Sequence, residues 1–179
     1  MTNFKTLGFV AIAATMVTFG AQAQNKTVNV YANTPNGAGA VLANMGHTTT
    51  SAGGYGTGVN ANASISKTMS PGFTGKFANS GASADSGTVM ANTTTKLGSA
   101  DSGASGQGVS AWTSGGKTTD STGTTKSLNS SGWADQGGAW AAVSGGWGSA
   151  LSVGSGQNVN VNAGYSTSPA TTSGGGGKG

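Results

Sequence analysis

Residues 55–69 alternate strictly between two kinds of side chain. The odd positions carry mainly apolar residues, such as Tyr55, Val59 and Ile65, and the even positions carry Gly, Asn, Ser and Thr. Successive side chains of an extended strand point to opposite faces, whereas a helix would mix these two sets. The segment is therefore predicted to be a β-strand with one apolar and one polar face.

A second segment, 151–165, repeats this alternation. Leu151, Val153, Val159 and Val161 are predicted to share one face, and the other face carries Gly, Ser and Asn. A shorter segment with the same alternation occupies residues 28–33. These three segments predict an all-β chain.

The supply of bulky apolar side chains limits the kind of core that the chain can build. Leu, Ile, Val and Phe number only 17 after residue 23, and the chain has no Cys with which to form disulfides. Ordering the backbone costs about 1 to 2 kcal/mol per residue, which so few large side chains would struggle to offset. A conventional globular core is not expected, so backbone pairing must contribute much of the stability.

Turn-forming residues punctuate the chain at nearly regular intervals, for example at Pro35–Gly37, Pro71-Gly72, Asp85–Gly87 and Asp135–Gly138. The pentapeptide Ser-Ala-Asp-Ser-Gly occurs twice, at 83–87 and 99–103. Short repeated units that cannot bury a face alone are stabilised by stacking on their neighbours. The predicted fold is a repetitive β-solenoid-like domain or a cross-β stack of short strands joined by Gly, Asn and Asp turns.

Two sets of residues are predicted to hold such a stack together. The assembly strands would use Val59, Ala61, Ile65, Val153, Val159 and Val161. Asn ladders, in which stacked amides bond from one strand to the next, would use Asn60, Asn62, Asn158, Asn160 and Asn162. In composition these segments resemble secreted amyloid-type fibre subunits such as curlins, although the regular Ser, Gln and Asn spacing of curlin repeats is not kept.

The N-terminus is typical of a secretory signal. Lys5 precedes an apolar stretch at 7–19, and Ala21-Gln22-Ala23 supplies small residues for cleavage. The predicted organisation is a signal peptide over 1–23, a low-complexity β-repeat domain over 24–165, and a flexible Gly-rich tail over 166–179. The mature chain is expected to have no integral membrane span and to be secreted or displayed at the cell surface.

The charged residues argue against side-chain chemistry. The chain has no Glu and no Arg, its four Asp residues fall in turn-like sequences, and its Lys residues are scattered singly along the sequence. His47 is the only imidazole and has no second His or Cys with which to complete a zinc site. We therefore expect no enzyme activity, catalytic residue, cofactor or metal, and no nucleic-acid partner.

Tryptophan offers an alternative kind of site. Trp133, Trp140 and Trp147 recur at an interval of seven, and Trp112 lies in a separate segment where strand geometry would point it away from Val109 and Ala111. The four tryptophans could form a stacking platform for sugar rings, or they could be large side chains used for packing.

Three functions follow from these features. The first is a secreted or cell-surface structural subunit of a β-rich fibre, matrix or adhesin, which self-associates through strand edges and side-chain ladders. The second is a monomeric module that binds a polysaccharide or a surface through exposed Trp residues. The third is a disordered Gly-rich spacer.

Overall fold

The described residues form a single sheet of six long strands. The computed structural model describes residues 24–146 and 148–169, and no helix is found among them. The strands are β1 (Gln24–Met45), β2 (Thr48–Ser70), β3 (Phe73–Thr95), β4 (Gly98–Asp120), β5 (Gly123–Gly145) and β6 (Gly148–Thr167). They follow one another across the sheet in chain order, and every neighbouring pair is antiparallel. The predicted signal peptide, Trp147 and residues 170–179 lie outside the described residues.

The prediction of an all-β chain is confirmed, but the prediction of short strands is wrong. The shortest strand, β6, has 20 residues and β3 has 23. Strands in globular proteins rarely exceed about 10 residues. Several predicted turns, including Pro35–Gly37 and Asp85–Gly87, lie inside strands. The connections are instead tight turns such as 71–72, where the predicted turn at Pro71-Gly72 is confirmed.

Each long strand folds back on itself at its middle. In β3 the Ser80 hydroxyl donates to the Asn92 carbonyl at 2.8 Å, and in β5 the Ala142 N–H donates to the Ser130 hydroxyl at 3.2 Å. Twelve residues of straight strand would span about 40 Å. The first and second halves of these strands must therefore pack face to face.

A row of glycines marks the line where the sheet folds. One glycine from each strand stands opposite a glycine of the next strand, and all six have positive φ: Gly37, Gly56, Gly87, Gly106, Gly137 and Gly156. At Gly106, where φ is +134°, a Cβ would overlap the Gln136 carbonyl of β5. Only glycine combines this backbone conformation with such a close approach. The position of this row in the sequence therefore sets the position of the fold line.

The fold divides the sheet into two packed layers of unequal length. The long layer contains residues 24–36, 57–70, 73–86, 107–120, 123–136 and 157–167. The short layer contains residues 37–45, 48–56, 87–95, 98–106, 137–145 and 148–156. The strand connections all lie at the end opposite the glycine row, which we call the open end. There the long layer extends past the short one.

The core between the layers is built mainly from Ala and Val, and its largest fully buried side chains are Ile65 and Leu128. Packing two halves of one sheet lets small residues fill a thin interior, which explains how a chain with few bulky side chains forms a core. The direction of the alternation reverses at the fold line. Val159 is buried, but Val153 is 69% exposed, so the prediction that the two share one face is wrong.

Hydroxyl groups contribute to the same interior. Thr93 and Thr113 are fully buried and their hydroxyl oxygens lie 2.8 Å apart, while the Ser80 and Thr113 hydroxyl oxygens lie 2.7 Å apart. Among the described residues, no buried side-chain N or O lacks a hydrogen-bond partner. The buried hydroxyls therefore add cross-strand bonds without leaving an uncompensated polar group.

The structural repeat is a hairpin of two long strands. Lys26, Lys76 and Lys126 occupy equivalent places in β1, β3 and β5, and the glycine row repeats with the same interval. The two Ser-Ala-Asp-Ser-Gly copies are not equivalent, since 83–87 reaches the fold line of β3 and 99–103 lies near the start of β4. Each hairpin is therefore one unit of the sheet.

Candidate assembly interface

The residues predicted as assembly strands lie in two different settings. Val59, Ala61 and Ile65 are buried in the core on β2, whose backbone pairs with β1 on one side and β3 on the other. Val159 and Val161 are also buried, but they belong to β6, which among the described strands pairs only with β5. The ladder groups on the other side of β6 thus have no strand partner within the described residues.

The two outer strands, β1 and β6, form the edges of the sheet. Edge strands present a row of N–H and C=O groups that can pair with another chain, and natural proteins often protect them with charged residues or Pro. Here β1 carries Lys26 near one end and Pro35 near the fold line, and β6 carries no charged residue at all. Both edges are long and only weakly protected.

Large apolar side chains are exposed along these same edges. In the short layer Leu42 of β1 is 63% exposed and Leu151 of β6 is 72% exposed, and Val153 lies beside Leu151. The outward direction of Leu42 follows from its neighbours Val41 and Ala43, which point into the core. The two edges of the short layer therefore each present an aliphatic side chain at a matching distance from the glycine row.

The predicted Asn residues do not form a continuous ladder within the chain. On β2, Asn60 accepts a hydrogen bond from the Tyr31 hydroxyl at 2.9 Å. On β6, the Asn162 amide donates to Asn160 at 3.1 Å. Three strands separate the two sets. Asn62 is exposed, and Asn158, with φ of 52°, occupies the place that Gly58 and Gly108 hold in β2 and β4.

The tryptophans are also divided between surfaces. Trp112 and Trp133 are 44% and 37% exposed on the outer face of the long layer, on adjacent strands. Trp140 lies on the outer face of the short layer, where it covers Gly103. Trp147 lies outside the described residues. The described tryptophans therefore do not form one stacking platform. Only Trp112 and Trp133, on the long layer, lie near each other on one surface.

A shallow cavity of about 250 Å³ lies beside Trp112. It is lined by Trp112 together with Asn129 and Asn162, among others. An indole ring flanked by amides is chemically suited to stacking on a sugar ring and bonding its hydroxyl groups.

Sequence reasoning missed a cluster of cations at the open end. The lysines that are scattered singly in the sequence come together in the fold, where they stand on neighbouring strands: Lys26, Lys67, Lys76, Lys117 and Lys126. We call these five the lysine row. The sequence signal for this cluster was the regular recurrence of lysine on alternate strands. That recurrence can be recognised only after the hairpin repeat is known.

Two further observations describe the chemistry available. In the part of the chain that the structure describes, no three His, Cys, Asp or Glu side chains come together as metal ligands. Within the same residues, no helix is both long and apolar enough to span a membrane.

Comparison of the chain with protein-family models, with curated proteins and with solved structures finds no match.

Proposed function

We propose that this protein is a secreted or cell-surface structural subunit that assembles end to end into a β-fibre or matrix, with β6 of one copy pairing with β1 of the next. Its role in this proposal is mechanical and adhesive, with no catalytic step. The observation that carries the proposal is the pair of weakly protected edges that terminate a regular repeat. The predicted export signal supports the extracellular setting.

The repeat defines how two copies would join. The sheet has an even number of antiparallel strands, so a second copy's β1 would run antiparallel to β6 and would meet it layer on layer. In the repeat, β6 is equivalent to β2 and β1 is equivalent to β3. Transferring the β2–β3 register, in which Gly56 faces Gly87, places Gly156 opposite the second copy's Gly37. The glycine row would thus continue across the junction.

This register brings the exposed edge side chains together. Ser51 faces Asn92 in the β2–β3 pair, which is equivalent to Leu151 facing the second copy's Leu42. The junction would bury these two exposed leucines against each other, and burial of a leucine side chain is worth about 1.5 to 3 kcal/mol. Such a head-to-tail contact uses different surfaces on each copy and leaves a free edge at both ends, so it extends into a fibre when the rotation between copies does not close a ring.

The same register completes the predicted Asn ladder between copies. Asn60 faces Asn33 within the chain, and the transferred register places Asn160 against the other side of the next copy's Asn33. Three amides from two copies would then lie in one row. Cross-strand amide bonds of this kind stabilise stacked β-assemblies.

Cysteine cross-linking tests this register directly, because the chain contains no native Cys. Opposite residues of an antiparallel pair have Cα atoms about 4.5 to 5.5 Å apart, within the range that a disulfide can bridge. We expect the double variant Leu42→Cys/Leu151→Cys to give a series of oxidised multimers on a non-reducing gel. Within one copy the two sites are five strands apart, about 24 Å, so an internal disulfide cannot form.

The matched control is Leu42→Cys/Val153→Cys, which moves one thiol to the next outward position along β6. Its diagonal Cα separation would be about 7 to 8 Å, too long for an unstrained disulfide. Equal cross-linking of both variants would contradict the register, and a chain that remains monomeric in every variant would contradict assembly.

A second function is favoured by one specific observation, namely the exposed Trp112 beside the Asn-lined cavity, with the exposed Trp133 on the adjacent strand. In that case the protein would be a monomeric module that binds polysaccharide. A cross-linking result showing only monomer, together with a change of Trp fluorescence on adding polysaccharide, would favour this second function.

A further inference from the structure

The lysine row runs across five neighbouring strands of the long layer. Lys26 faces Lys67, Lys67 faces Lys76, Lys76 faces Lys117, and Lys117 faces Lys126. Neighbouring strands are about 4.8 Å apart, so the five side chains start from backbone positions that span about 19 Å. Cross-strand neighbours of like charge are destabilising. The row therefore sets like charge opposite like charge at four successive pairs.

Most of this row faces inward, at the open end where the long layer extends past the short layer. The inward direction follows from the alternation, since Ile65 and Ala78, each two positions from a row lysine, are buried. The Lys76 ammonium reaches across to the short layer and donates to the Met45 carbonyl at 2.8 Å. Lys67 and Lys76 are partly buried in this space, whereas Lys26 and Lys117 are exposed, so the row reaches from the gap between the layers out to solvent.

A cavity of about 420 Å³ occupies this place. Four members of the lysine row line it, and the turns of the short layer add two more basic side chains, His47 and Lys96. Its apolar walls include Met45, Phe77 and Leu97. The volume falls within the range of about 300 to 1,000 Å³ that is usual for small-ligand pockets.

No carboxylate is among the described residues that line this cavity. Asp85 and Asp135 lie beside the glycine row, each nine positions along the strand from a row lysine, which is about 30 Å. Asp101 bonds the Asn92 amide, and Asp120 accepts from the Thr122 N–H at 2.8 Å in its own turn. The chain therefore places its acidic residues in other contacts and leaves the cavity strongly positive.

The electrostatic cost is visible at Lys76. Partial burial, together with the positive charges of Lys67 and Lys96, lowers the pKa of Lys76 below its usual value. An anion in the cavity would offset both charge effects, because it supplies the opposite charge where three ammonium groups converge.

We propose that this cavity binds a compact multivalent phosphate anion, held by Lys26, Lys67, Lys76, Lys96 and Lys117. Phosphate fits better than carboxylate because each phosphate group carries up to two negative charges and several acceptor oxygens, which suits a set of single-point ammonium donors.

The site lies within one copy and does not depend on assembly. Its test is isothermal titration calorimetry of the purified full chain, at a protein concentration where it is monomeric, with sodium tripolyphosphate as the probe. We expect saturable binding that weakens as salt is added. In Lys67→Gln/Lys117→Gln the affinity should fall roughly tenfold for each lysine removed, as expected for hydrogen bonds to a charged group. These substitutions leave the Lys76 hydrogen bond to Met45 in place and relieve repulsion, so the variant should fold.

The matched control is Lys126→Gln. Lys126 belongs to the lysine row but is not among the residues that line the cavity, so its removal should change the affinity less than twofold. An equal loss in this control would overturn the cavity site, because it would show that only overall charge matters. Citrate distinguishes the chemistry: binding as tight as that of tripolyphosphate would overturn the assignment to phosphate. Absence of tripolyphosphate binding in a folded protein would overturn the proposal while leaving fibre assembly untouched.

Long-chain polyphosphate distinguishes two kinds of ligand that carry the same phosphate groups, a small free anion and a polymer. If the natural ligand is a small free oligophosphate, tripolyphosphate and the long polymer should bind with similar affinity per site. If it is a phosphate-bearing polymer, the long chain should bind more tightly per copy on assembled protein, because neighbouring cavities would be linked by one ligand.

Discussion

Two rows of residues cross the sheet, and they relate to the fold in opposite ways. The glycine row lies at the fold line, where positive φ and close backbone approach leave no alternative residue at its inner positions. The lysine row lies at the open end, where the backbone is ordinary strand and adjacent rows carry Thr, for example Thr74 opposite Thr119. Backbone geometry thus explains the glycines and offers no reason for the lysines. Like charges on neighbouring strands repel each other, and the proposed anion would offset that repulsion.

The largest effect should come from adding a methyl group at the glycine row. In Gly106→Ala the new Cβ would overlap the Gln136 carbonyl, and φ of +134° would be strained as well. We expect a loss of about 3 kcal/mol or more in the free energy of unfolding, which urea denaturation measures. Gly72→Ala is the control, since Gly72 also has positive φ but a Cβ there meets nothing within 4 Å. Its cost should be about 1 kcal/mol, and equal costs would show that the fold line is not tightly packed.

Gly156→Ala sharpens the comparison, because this glycine lies in the same row on the free edge of β6. A Cβ at Gly156 meets nothing within 4 Å in a single copy. At the equivalent Gly56 it would overlap the Ser86 carbonyl of the next strand, so in the proposed stack a Cβ at Gly156 would overlap the second copy's Asn36 carbonyl. We expect the monomer to lose only about 1 to 3 kcal/mol from backbone strain.

Assembly of Gly156→Ala, followed by sedimentation against protein concentration, should be abolished. Gly72→Ala is again the control, because it introduces backbone strain at a position outside the proposed β6–β1 junction. This variant should assemble. Normal assembly of Gly156→Ala at a concentration where the monomer is folded would contradict the proposed β6–β1 junction.

Part of this structure follows from the sequence, and the rest depends on contacts that alternation does not encode. The pattern at 55–69 correctly predicted a strand and the buried face that contains Val59 and Ile65, but Tyr55, which it put on that same face, lies before the fold line and is 70% exposed. It could not show that the strand bends at Gly56 and extends back to Thr48, because glycine usually weakens a strand and marks a turn. The reversal of the inward face at the fold line then misled the assignment of Val153. A glycine that bends a strand and a glycine that ends one look alike in a single sequence.

The same limit applies to the candidate sites. Single lysines that stand far apart along the chain carry no local signal, and only the pairing of antiparallel strands brings Lys67 beside Lys76 or Lys76 beside Lys117. The sequence could predict that these segments are strands. It could not predict which of them are the edge strands, since a single sequence does not say which strand is outermost. Strand order made β2 internal and β6 an edge, although both segments show the same alternation.

The smallest predicted effect is a pH dependence at the lysine row. Because the pKa of Lys76 is lowered in the folded chain, the unfolded chain binds more protons between that lowered pKa and the ordinary value of 10.5. The free energy of unfolding should therefore rise with pH through this window, and the cost of the charged lysine is fully present below it. Lys67→Gln removes one of the charges that lower this pKa, so it should stabilise the protein near neutral pH by about 0.5 kcal/mol and flatten the rise.

Urea denaturation of wild type and variants between neutral pH and the alkaline window measures this difference. Burial raises the pKa of Tyr165, which makes stability fall above the usual tyrosine range, but that contribution is shared by all variants and cancels when they are compared. Lys126→Gln is the control, because Lys126 is not among the charges that lower the pKa of Lys76, and its profile should run parallel to that of the wild type. If Lys67→Gln also runs parallel, then repulsion within the row is screened by solvent. The lysines would then impose no cost for an anion to offset, and the contrast between the two rows would rest on the glycines alone.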